Sequence, residues 1–183
     1  TNPTTGCIRS MSGSATIIVN ALPTTFSVTG GGAYCSGGTG VSIGLSGSTT
    51  GVSYKLYRGT VLASTISGTG SAISFGLHTT AGTYTVVATN TSTGCTSNMT
   101  GSATVSVNTT PTISGSIYTV APSGSITLSG SPSGGVWNSS ATSVASVGTS
   151  TGVVSGVSLG TATISYTLST GCRATRTVSV TPT

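Results

Sequence analysis

Four residues in this chain carry a thiol: Cys7, Cys35, Cys95 and Cys172. One side chain, His78, carries an imidazole. These five side chains are nearly all the reactive chemistry available. Four cysteines allow disulfide formation in three pairings, and spacing alone does not select one. Zinc binding needs clustered thiolates and imidazoles, but no CxxC pair occurs and the histidine stands alone. A hydrolytic triad needs an acid to orient its histidine. The chain has no Asp and no Glu, so that role, calcium ligation and carboxylate acid–base catalysis have no side chain to perform them. His78, in Gly76-Leu77-His78-Thr79, reads as a turn residue. No catalytic, metal-binding or cofactor-binding residue is expected.

The remaining composition describes what must position the cysteines. Ser and Thr make up roughly 40% of the 183 residues, Gly contributes 28, and apolar residues 35%. Thr, Val, Ile and Tyr favour strands, while Gly, Ser and Asn supply turns. The expected class is all-β. The net charge of +5 is spread over Arg9, Lys55, Arg58, Arg173 and Arg176. Those residues form no basic face with interleaved aromatics, so no nucleic-acid partner is expected. The longest aliphatic cluster, Ile17-Ile18-Val19, is too short to span a bilayer, so no membrane insertion is expected.

One 20-residue phrase occurs twice. TNPTTGCIRSMSGSATIIVN (Thr1 to Asn20) and TNTSTGCTSNMTGSATVSVN (Thr89 to Asn108) agree at 12 of 20 positions. A weaker echo follows at Thr170-Gly171-Cys172, Ala174-Thr175 and Thr177-Val178-Ser179-Val180. Each Thr-Gly-Cys turn precedes an alternating strand, which marks three module ends. Residues 1–20 then read as the last strands of a preceding module, missing or supplied by a partner. Residues 21–108 form one module and residues 109–183 another. Strands are expected at 25–29, 41–46, 53–57, 62–66, 72–75, 83–89 and 103–107. In the last module they are expected at 113–120, 125–129, 135–138, 144–147, 153–155, 162–168 and 175–180. Seven short strands per module fit an Ig-like sandwich. Lys55 and Arg58, beside Tyr57, read as charges defending an edge strand.

Residues 125–166 carry a specific set of motifs: Trp137-Asn138-Ser139-Ser140, Val144-Ala145-Ser146-Val147, Gly152-Val153-Val154-Ser155-Gly156-Val157 and Gly160-Thr161-Ala162-Thr163-Ile164. They resemble the bacterial Ig-like domain of the intimin and invasin type. The resemblance implies a core built on Trp137, Val144, Val147, Val153 and Ile164. Residues 29–108, with GGGAYCSGGTGVSIGLSG and AGTYTVVATNTSTGC, are similar to repeats of giant surface adhesins and gliding-type proteins of Bacteroidota. That resemblance implies type IX secretion and a place at the cell surface or in an extracellular filament.

In a sandwich of this kind, the start of the second strand and the end of the sixth can fall at one pole. That predicts a Cys35–Cys95 bond closing a 60-residue loop, worth roughly 4 kcal/mol in chain entropy. Cys7 matches Cys95 and would find its partner in the missing module. Cys172 also matches Cys95, but Ala121 or Ser123 occupies the region where a Cys35 equivalent would stand. Cys172 is therefore expected as a free thiol or an intermolecular one, and a Cys7–Cys172 bond between copies would make a covalent fibre.

Together these readings point to a non-enzymatic extracellular structural or adhesive segment whose partners are neighbouring modules or copies of itself. One alternative is a fibre subunit completed by strand exchange through residues 1–20. Another is a carbohydrate-binding accessory module of a secreted enzyme, with host or environmental glycans as ligands. Asn90, Asn98, Asn108 and Asn138 each begin an Asn-X-Ser/Thr triplet, a signal diluted by the abundance of Ser and Thr.

Overall fold

The computed structural model describes residues 3–5, 8 and 10–182; residues 1, 2, 6, 7, 9 and 183 lie outside the described set. The expectations for Cys7 fall outside it too. The described residues contain strands and turns and no helix, as an all-β composition requires. They form tandem Ig-like sandwiches around two separate cores.

The first sandwich is built from β1 (Val28–Gly30), β2 (Gly32–Cys35), β3 (Val41–Leu45), β4 (Val52–Arg58), β5 (Val61–Ser67), β6 (Ile73–His78), β7 (Gly82–Asn90), β8 (Thr96–Asn98) and β9 (Ala103–Asn108). One sheet runs β1-β3-β6; the other runs β2-β9-β7-β4-β5, with β8 also on β7. Period-two patterning explains the central strands. In β4, Val52, Tyr54 and Leu56 are buried while the residues between them are half-exposed. In β7, Tyr84, Val86 and Ala88 are buried. Ile43, Leu45, Phe75 and Val105 complete the core from the facing sheet and from β9. The two largest fully buried side chains keep their hydroxyls satisfied: the Thr49 N–H donates to Tyr54 Oη at 2.9 Å, and Tyr84 Oη donates to the Thr80 carbonyl at 2.8 Å.

The second sandwich contains β10 (Thr112–Ser114), β11 (Thr119–Val120), β12 (Ser125–Thr127), β13 (Ser129–Ser131), β14 (Val136–Ser139), β15 (Ala145–Val147), β16 (Val153–Gly156), β17 (Gly160–Thr167) and β18 (Arg173–Val180). Its sheets run β12-β16-β15 and β11-β18-β17-β14, with β10 paired to β13. Trp137 and Ile164 are buried in the core, and Val144 and Val147 pack against it half-buried. Val153 is different: it is 37% exposed, while Val154 is fully buried opposite Ile126 and Val147. Side chains alternate along a strand, so a one-residue offset exchanges the core face for the solvent face.

Two further expectations need correction. Lys55 and Arg58 do not sit on an edge, because β4 lies between β7 and β5. The expected strand at 113–120 is two strands in different sheets, β10 on β13 and β11 on β18. The first sandwich makes the same change of sheet between β1 and β2, at a triplet of glycines. Gly30, Gly31 and Gly32 all have positive φ, and a Cβ on Gly31 would lie 2.8 Å from the Thr104 carbonyl oxygen. Only glycine accepts both the left-handed backbone and that approach. The switch turns the chain out of the β3 sheet and lays β2 parallel to β9, in register from Gly32↔Val105 to Cys35↔Asn108.

Among the described residues of 1–20 there is no strand. Met11, Ile17, Ile18 and Val19 are each more than three-quarters exposed.

Candidate functional site

The place where the structure concentrates its chemistry is the junction between the sandwiches. β2 ends at Cys35, beside Asn108 at the end of β9. The ladder continues past the strand. The Ser36 N–H donates to the Asn108 carbonyl at 2.8 Å, Thr110 N–H donates to Ser36 Oγ at 3.1 Å, and Thr110 Oγ1 donates to the Ser36 carbonyl at 2.6 Å. Pro111, next along, is buried. The connection is thus held by hydrogen bonds and packing rather than left as a free linker.

Across this junction lies the turn between β17 and β18. Gly171 adopts φ +85, which closes the turn, and the Leu168 N–H donates to the Cys172 carbonyl at 2.9 Å. Cys172 is fully buried and bonded to Cys35, with Cα atoms 5.6 Å apart across a sequence separation of 137. A cleft of about 370 Å³, lined by Val107–Thr109, Pro132–Gly134 and Leu168–Thr170, opens at the same junction.

This bond overturns the expected Cys35–Cys95 pairing and the expectation that Cys172 is free or intermolecular. The reason is polarity. β7 begins beside Val105, near the Asn108 pole, and ends at Asn90. Nine residues of strand then separate the poles by roughly 30 Å. Cys95 follows β7 and sits at the far pole, while Cys35 sits at the near one. Cys95 occupies in the first sandwich the place that Cys172 occupies in the second. Its turn contains Gly94 at φ +75, and its carbonyl accepts from the Asn90 N–H at 2.9 Å. Its thiol is free and half-buried, with Sγ 4.0 Å from the Asn20 carbonyl. Asn20 is the repeat counterpart of Asn108.

The other singled-out residues are structural. His78 tilts against Tyr84, with ring centroids 5.1 Å apart, and its Nε2 is buried without a hydrogen-bond partner. No group of three or more metal-ligating side chains occurs among the described residues. Trp137 packs against Tyr166 at 4.6 Å between centroids, inside the core. Tyr166 Oη donates to the Pro132 carbonyl at 2.9 Å and accepts from the Gly135 N–H at 2.8 Å. An open cleft of about 510 Å³ borders this pair, yet Trp137 is only 4% exposed and offers no stacking face. All nine Trp, Tyr and Phe rings are buried or half-buried. Tyr118 lies under the Arg176 guanidinium, 4.5 Å from the ring centroid. Asn90, first of the Asn-X-Ser/Thr residues, uses its side-chain oxygen to accept from the Ser92 and Thr93 N–H groups.

Sequence reasoning missed the junction because its partners are set by the sheet switch. The signal was present in the glycine triplet three residues before Cys35. Its meaning depends on which strand β2 joins.

No protein-family model matches the chain, and no curated protein matches it. Among solved structures, it is similar to the C-terminal 282-residue fragment of intimin, crystallised with the intimin-binding domain of the translocated intimin receptor. The TM-score is 0.56 at 20% identity, covering 88% of this chain and 64% of that fragment. An I-band fragment of titin gives 0.45 at 17% identity, covering 90% and 66%. Fibronectin(III)-like modules of Clostridium thermocellum CbhA give 0.37 at 15%, covering 85% and 93%. The chain spans a little under two thirds of the intimin fragment's length, and the likeness is one of fold.

Proposed function

We propose that this chain is a non-enzymatic structural or adhesive segment of a bacterial cell-surface or extracellular array. Residues 21–108 and 109–183 act as successive modules, and residues 1–20 supply the last strands of a module before them. The observation that carries this reading is the covalent bond joining one sandwich to the next. A bond between modules serves no single fold; it serves the connection. Stable disulfides also belong to oxidising compartments, which agrees with an extracellular location. The similarity to intimin, itself solved bound to a receptor domain, favours protein partners. The resemblance of residues 29–108 to Bacteroidota repeats favours export by type IX secretion.

The exposed segment Ser14-Ala-Thr-Ile-Ile-Val-Asn20 matches Ser102–Asn108, which contains β9. In both described sandwiches that position is already filled, by β9 and by β18. On this reading the acceptor for residues 14–20 is the body of a preceding module, since neither described sandwich leaves that position open. This weighs against strand exchange between copies. Glycan binding is disfavoured because no aromatic ring is exposed as a platform.

The test combines immunogold labelling of intact source cells with the reduced, denatured mass of the native protein. Surface labelling with a mass several times 17.6 kDa is expected. Labelling confined to the cell interior would overturn the reading, and a native mass of 17.6 kDa would return the self-assembling subunit to first place.

A further inference from the structure

We propose that the Cys35–Cys172 bond is a mechanical bypass that carries tension across both sandwiches and keeps their bodies from being pulled open. Tension applied at the two ends enters through β1 and β2 and reaches Cys35. From there it has a covalent route straight to Cys172, and it leaves along β18. The 136 residues between the two cysteines, one fewer than their sequence separation of 137, are outside the loaded path. They include every strand from β3 to β17.

The placement is what makes the bond effective. A disulfide within one sandwich would shield only part of that sandwich. Here one cysteine lies near the start of the first sandwich and the other near the end of the second. The glycine-enabled sheet switch brings β2 to the pole that faces the second sandwich, and the β17–β18 turn meets it there. Only short segments remain exposed to force. β2 is held to β9 by four parallel register pairs, and β18 is held to β17 by eight antiparallel ones. Peeling either one releases few residues, because the ring closed by the bond stays intact. Cys172 is fully buried, which shields the bond from attack by external thiols.

The bypass follows from connectivity. The proposed role in a load-bearing array supplies its use, and the two fail separately. A cell-interior location would sink the array and leave the bypass standing.

The test is single-molecule pulling of the 183-residue chain through tags at its two ends, with and without a phosphine reductant. With the bond intact, 47 of the 183 residues remain in the covalent path. Their contour length is ~165 Å at the extension limit of the backbone. After reduction the whole chain contributes, and the contour rises about fourfold to ~640 Å. Total contour does not depend on whether the reduced sandwiches are still folded, so unfolding before the pull does not obscure the result. A Cys95→Ser variant should behave as the unmodified chain does. An oxidised chain that extends to ~640 Å would overturn the bypass. So would ~430 Å, the value for a Cys35–Cys95 ring, or a reduced chain that stays at the short contour.

Discussion

Replacing both bonded cysteines, Cys35→Ala with Cys172→Ala, should destabilise both sandwiches at once. The magnitude follows from which loop the bond closes in each partly unfolded state. When the second sandwich unfolds against a folded first, Cys35 stays fixed beside Asn108. The bond then closes the 64 residues from Asn108 to Cys172. When the first unfolds against a folded second, the bond closes the 73 residues from Cys35 to Asn108. Because closure entropy grows only logarithmically with length, the two costs are nearly equal, about 4 kcal/mol each. For domains of this size each kcal/mol lowers Tm by roughly 4–8 °C, so both transitions should fall by about 16–30 °C. Differential scanning calorimetry reads both. The alanine pair avoids leaving a lone thiol or a new hydroxyl at the buried Cys172 site. A shift below about 5 °C would refute the entropic argument. A shift confined to one transition would refute the interdomain placement, since a bond within one sandwich stabilises that sandwich alone.

Tyr166→Phe should cost the second sandwich about 1–3 kcal/mol, because the Gly135 N–H and the Pro132 carbonyl lose the hydroxyl they share; urea unfolding followed by Trp137 fluorescence measures it, and an unchanged midpoint would contradict the structure. Acid should have little effect. Carboxylates whose folded pKa is depressed lose their stabilisation as pH falls, and this chain has no side-chain carboxylate, so Tm at pH 3 should lie within about 5 °C of its value at pH 7. Under native oxidised conditions, an alkylating reagent should modify Cys95 and leave Cys35 and Cys172 unmodified; peptide mapping that finds Cys35 alkylated would break the assigned pairing.

Composition and patterning alone set the all-β class and most of the strands. Thr, Val and Tyr at alternating positions made strands of 52–58, 82–90 and 160–167 wherever a hydrophobic face had to be buried. The missing carboxylates remove whole families of catalytic chemistry whatever the fold. The repeated Thr-Gly-Cys turn placed Cys95 and Cys172 in equivalent hairpins, as the matching bonds from Asn90 and Leu168 confirm. The N-terminal phrase repeats the pattern of β9.

The poles that Cys35, Cys95 and Cys172 occupy follow from the three-dimensional path of the chain. Strand pairing is non-local, and nothing near Cys35 in sequence states that its strand leaves the β3 sheet and lies parallel to β9. That depends on Gly31 passing within contact of Thr104, 73 residues away. The same limit explains Val153: neighbouring valines are equivalent to a sequence pattern, and only the register with Ile126 selects Val154 for the core. Residue types set which side chains can bond or be buried. The chain's path between sheets sets which of them meet.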